Sequence, residues 1–109
     1  MDNKSALRGL CNALCNTFYP DNSAIEVVLF NAGVQASDDA RPKDAQLLKL
    51  AIRLVLGYCE SSRTENGVST AVDTSAVRRN ILTWCDDYGL DADEYVPGLK
   101  VVEDGSKLW

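Results

Sequence analysis

The sequence predicts a mainly α-helical, four-helix domain, with a short extended or β segment before the last helix and an extended C-terminal arm. Three observations lead there. Apolar residues recur at three- and four-residue steps through four stretches, N-cap and Gly or Pro stop signals bracket those stretches, and the alternating runs "VSTAV" and "LKVVE" are short. At 109 residues the chain is near the commonest domain size. It divides into a helical domain over 1–90 and an arm over 91–109.

In the first stretch, "NKSALRGLCNALCNTFY", Leu7, Leu10, Cys11, Leu14 and Phe18 share one face while Lys4, Arg8 and Asn12 face water. Asp2 or Asn3 caps its start, and Pro20 stops it near Tyr19. "DNSAIEVVLFNAG" follows at once, capped by Asp21, Asn22 or Ser23. Its buried stripe is Ile25, Val28, Leu29 and Ala32, and Gly33 is the left-handed C-terminal cap. "VQASDDARP" reads as a linker. "KDAQLLKLAIRLVLGYCESS" then makes the strongest helix, with Pro42 suited to its first turn. Its wide face of Leu47, Leu48, Ala51, Ile52, Val55, Tyr58 and Cys59 is broadened by Leu50, Leu54 and Leu56. A helix apolar nearly all round is either central to its domain or buried by neighbours, and the excess is a first hint of assembly.

Asn66-Gly67 signals a tight turn, and "VSTAV", Val68 to Val72, reads as extended. A lone strand in a helical chain must pair with the arm, with preceding residues or with another subunit. Asp73, Thr74 or Ser75 caps the last helix, "SAVRRNILTWCDDY". Val77, Ile81, Trp84 or Cys85, and Tyr88 line its inner face, and Gly89 closes it.

The net charge of -5 argues against a module that grips a nucleic-acid backbone, which needs a basic face. The longest apolar run, Leu47 to Tyr58, is interrupted by Lys49 and Arg53, so no membrane span is expected. The start lacks the zones of a signal peptide, which makes a cytoplasmic site of synthesis the default. In that compartment Cys11, Cys15, Cys59 and Cys85 are expected as core thiols. A four-thiolate zinc site, the sharper alternative, prefers tight pairs on turns.

The chain holds no histidine, which removes Ser-His-Asp and Cys-His nucleophiles and every histidine-bearing zinc motif. Its seven glycines lie singly at turns and form no phosphate loop. No enzyme chemistry and no cofactor are expected. The acidic run "DDYGLDADE" lacks the ligand offsets of an EF-hand and reads as a solvated helix end. Asp86 and Asp87 at that helix's C-terminus, and Arg78 and Arg79 near its start, all oppose the helix dipole. Salt bridges between copies would explain this placement, and so would arginine stems covering apolar surface.

Two short helices, a long apolar third and then "NGVSTAVDTSAVRRNILTWCDDYG" together resemble the small head–tail connector (neck, or adaptor) proteins of tailed bacteriophages. Gly67, Val68, Ser69, Asp73, Arg78, Arg79, Tyr88 and Gly89 carry the likeness, which covers residues 4 to 89 in element order. The resemblance implies a non-enzymatic virion subunit of the neck, assembled in the host bacterial cytoplasm. Such subunits form a homo-oligomeric ring, often of twelve copies, that joins the portal protein to the tail or stopper protein. DNA passes through the ring without specific binding. The expected subunit and partner interface is Val68, Ser69, Val72, Arg78, Arg79, Tyr95, Leu99, Val101, Val102, Leu108 and Trp109. The chain departs from that pattern in continuing past Gly89.

Fixing about ten arm residues costs on the order of 10–20 kcal/mol in backbone entropy. Each buried Val, Leu or Trp contributes roughly 1.5–3 kcal/mol in return, so an ordered arm needs backbone partners as well. The sequence favours docking on a neighbouring subunit or the portal. The alternative is that the arm folds back onto its own helices. A small cytoplasmic helical binding module, with the Leu47–Leu56 surplus as its partner groove, is the other functional reading.

Overall fold

A computed structural model describes the backbone of residues 1–66, 74–92 and 95, and the side chains of 1–59, 75–92 and 95. Four helices follow in order: α1 (Asn3–Leu14), α2 (Asn22–Asn31), α3 (Ala45–Asn66) and α4 (Thr74–Tyr88). Among the described residues there is no strand, only one isolated antiparallel bridge between Asp2 and Asp39. The expected extended segment, Val68 to Val72, and the arm beyond Tyr95 lie outside the described residues. Within the described part, no helix is long and apolar enough to cross a membrane.

Helix α1 starts where its cap signal places it. The Asp2 carboxylate accepts the Ser5 N–H at 2.8 Å. The two preceding orphan donors are satisfied from a distance, with Asn3 N–H donating to the Asp38 carbonyl at 2.8 Å and Lys4 N–H to Ala36 at 3.1 Å. The buried Asn3 amide donates to the Gln35 carbonyl at 2.8 Å. The segment 34–42, expected as a plain linker, is therefore an ordered loop that closes the start of α1.

The end of α1 comes earlier than Pro20 alone predicts. Cys15 is already extended, and Asn80 of α4 donates to the Leu14 carbonyl at 3.0 Å, satisfying one of the helix's last acceptors. The freed chain turns so that Phe18 stacks on Tyr58 of α3, with centroids 4.5 Å apart and planes at 17°. Tyr58 Oη also donates to the Thr17 carbonyl at 3.3 Å. A tertiary aromatic contact has outweighed continuation of the helix.

Helices α2 and α4 both end as their glycines predict. Gly33 and Gly89 have φ of 75° and 76°. Val34 N–H reaches back to the Leu29 carbonyl at 2.9 Å, and Leu90 N–H to Cys85 at 2.8 Å, the six-to-one bond of a Schellman ending. Helix α3 differs from expectation at both ends. Lys43 is left-handed (φ 54°), so helical geometry cannot begin there. Asp44 caps instead, accepting the Gln46 N–H at 3.0 Å and leaving Pro42 outside. At the other end the helix continues through Arg63, Thr64 and Glu65 to Asn66.

Helix α1 packs chiefly on α3, with α2 and α4 flanking. The core is Leu7, Leu10, Cys11 and Leu14 of α1, Ile25 and Leu29 of α2, Leu47 to Val55 and Cys59 along one side of α3, and Val77, Ile81 and Cys85 of α4. Leu50 is buried, and Leu54 and Leu56 are half-buried against that core, so the domain itself absorbs most of the surplus on α3. All four cysteines are buried thiols.

Candidate interaction surface

The described residues offer little to build a reaction centre. Among them, no group of three or more Cys, Asp or Glu stands close enough to hold a metal, and no buried side-chain nitrogen or oxygen lacks a partner. Burial pushes the Cys11 thiol up to about 12, the opposite of what a nucleophile needs. What the surface does offer is apolar and cationic features that the core does not use.

The first lies on the outer face of α2. Val27 and Phe30, three residues apart and on one side of the helix, are 56% and 81% exposed, and Tyr19 just before the helix is 71% exposed. The inward face of α2 fully buries only Ile25 and Leu29. Two bonds from α1 fix the helix's position: Lys4 Nζ to Glu26 at 3.5 Å, and Arg8 donating to the Asn22 amide oxygen.

The second is a groove between α2 and α3. Two adjoining hollows of about 350 and about 480 Å³ share Ala32, Leu50 and Arg53. Val28 and Leu54 line one end, and Gln46, Lys49 and Tyr95 the other. Lys49 and Arg53 are exposed, one turn apart, and neither has an ion-pair partner among the described residues.

The third is a recess of about 410 Å³ where α4 meets the loop before α3, lined by Leu10, Leu47, Trp84 and Tyr88. Trp84 and Tyr88 meet at a 56° tilt with centroids 5.9 Å apart. Lys43 spans its rim to Asp87 at 3.3 Å. Burial raises the Tyr88 phenol, reinforced by the nearby Asp87 and Asp44 charges and opposed by Lys43.

Three of the residues expected at an interface are described. Tyr95 is half-buried against its own core and lines the α2–α3 groove. Arg78 is half-buried and Arg79 exposed on α4. Val68, Ser69, Val72, Leu99, Val101, Val102, Leu108 and Trp109 lie outside the described residues. Of the acids suggested to pair between copies, Asp87 already meets Lys43 of its own chain, while Asp86 is exposed. Sequence reasoning missed Val27 and Phe30. The signal was present, since both fall off the Ile25–Leu29 stripe.

The chain belongs to DUF6706, a family of unknown function whose model matches residues 1–109. No curated protein and no solved structure matches it.

Proposed function

We propose that the protein is a non-enzymatic structural subunit that assembles into a head–tail connector ring of a tailed bacteriophage, docking portal and tail or stopper proteins around a DNA channel. The observation that carries the assembly part is the outer face of α2. A domain whose core is closed, and whose buried polar side chains are satisfied among the described residues, still presents Phe30 and Val27 to water. Adjacent exposed apolar side chains on a rigid helix are what a protein interface needs at its centre. The connector part rests on the order of four helices and on the Arg78–Arg79 and Tyr88–Gly89 positions that carry the resemblance. The acidic balance of the chain suits a channel that lets a duplex slide.

Native mass measurement across a concentration series, alone and with a portal protein, tests this reading. Rings or portal-bound oligomers are expected from the natural chain and their loss from Phe30→Asp. A strict monomer at the highest concentration that also ignores portal would overturn it.

A further inference from the structure

Phe30 has a counterpart on the far side of α1. On that helix Lys4 and Arg8 reach α2, whereas Ala6, Gly9 and Leu10 line the recess walled by Trp84 and Tyr88 of α4. At about 100° per residue, the centres of these two sets fall on roughly opposite sides of the helix. The domain therefore carries an apolar knob on one flank and an apolar hollow of about 410 Å³ on the other. We propose that the α2 face of one copy, led by Phe30, docks in the α1–α4 recess of the next copy. This inference rests on the assembly part of the proposed function and names the two surfaces that meet.

Shape, charge and one glycine point this way. Leu10 and Leu47 give the recess a buried apolar floor, and the half-buried rings of Trp84 and Tyr88 offer an incoming phenyl the edge and face contacts that aromatic pairs prefer. Gly9, exposed at its edge, keeps the hollow open, since a Cβ there would meet no atom within 4 Å. A glycine inside a helix destabilises it relative to alanine, and no contact among the described residues requires one at this position. Glu26, one turn before Phe30, has a side chain 56% exposed. On the recess rim the Arg41 side chain is 83% exposed and that of its partner Asp44 only 16%, so this pair presents its cation to solvent. Two α2 faces meeting each other would instead set Asp21 and Glu26 against their own copies, because residues 19–31 hold no Lys or Arg. The α2–α3 groove is the poorer hollow for Phe30: it has α2 itself as a wall, and the described chain after α4 already reaches it at Tyr95. A knob and a hollow on opposite flanks make a head-to-tail contact, the kind that closes into a ring when the rotation between copies permits.

Native mass spectrometry across a concentration series, on two single variants and their mixture, tests it. Phe30→Asp removes the knob and Gly9→Glu fills the recess. Each alone should weaken self-association at least about tenfold, as the loss of a buried aromatic anchor does. Mixed, they should form a one-to-one pair and stop there, because each supplies the surface the other lacks and only the two spoiled surfaces stay free. Both positions are exposed, and unchanged far-ultraviolet circular dichroism verifies the fold of each variant. If Gly9→Glu assembles like the natural chain, or the mixture stays monomeric where the natural chain assembles, the proposal is overturned and the connector reading stands. A natural chain that is monomeric alone yet binds portal would have the same consequence, and one that also ignores portal would overturn both.

Discussion

Helices α1 and α2 are neighbours of similar length, 12 and 10 residues, and they use their apolar side chains in opposite ways. Leu7, Leu10, Cys11 and Leu14 of α1 all go inward, against α3. Helix α2 buries Ile25 and Leu29 and leaves Val27 and Phe30 in water. The number of apolar side chains on a helix therefore does not say how much of it stabilises the fold. Their position around the helix does. Helix α1 is a core element with polar edges, whereas α2 is a core element on one face and an uncovered apolar surface on the other.

The comparison breaks most visibly at Leu14. It is fully buried beneath α3 and α4, and Leu14→Ala should cost about 2–5 kcal/mol in denaturant unfolding, through lost transfer energy and the cavity left behind. A loss within experimental error would mean that the α1–α3 seam is loose and that α1 is not the core element described.

A second test uses the Cys11 thiol of the same seam, which burial pushes up to about 12 from an ordinary 9.0. Its folded value is raised, so the contribution is complete below about pH 9 and is lost as pH climbs toward 12. Equilibrium unfolding against pH should show a steeper alkaline decline for the natural chain than for Cys11→Ala, whose stability starts lower. Cys11 should also resist alkylation at pH 8 until denaturant is added. Rapid labelling of the native protein would contradict its burial.

The start of α1 gives a smaller effect. The Ser5 backbone N–H, helped by its hydroxyl, holds the Asp2 carboxyl below its usual 3.8. A lowered folded value means that this contribution is present above about pH 3.8 and fades as pH falls through the folded value. Asp2→Ala should lower the melting temperature at pH 7 by less than Leu14→Ala does. Asp2→Asn should keep most of the cap while flattening the acid limb of the stability curve. If Asp2→Ala and the natural chain melt together, the 34–42 loop alone is sufficient to close the helix start.

The smallest effect on stability is expected on α2. Phe30→Asp should change unfolding free energy by no more than about 0.5 kcal/mol, as exposed positions do, while abolishing assembly. A large loss of monomer stability would show that Phe30 serves the fold after all.

Much of this was legible in the residues. Asp2 ahead of α1, Gly33 after α2 and Gly89 after α4 act through hydrogen bonds that span a few residues, so their roles can be read locally. The stripes Leu7–Leu14, Ile25–Leu29 and Val77–Cys85 follow from a helix's 3.6-residue period, and the burial of all four cysteines follows from the apolar faces they sit on or beside.

Other features were decided only when the helices met. The loop 34–42 has the composition of a linker, and it became the cap of α1 because Ala36 and Asp38 are carried to donors more than thirty positions away. The early end of α1 depends on Asn80 and Tyr58, neither near it in sequence. The surplus leucines of α3 illustrate the same limit: the fold buries Leu50 and half-buries Leu54, and both line the edge of a groove, which no periodicity could foretell. Local hydrogen bonding and helical period determine which side chains share a face. Which face is then covered, and by what, is set by contacts between elements distant along the chain, and Val27 and Phe30 are exposed because no such element among the described residues reaches them.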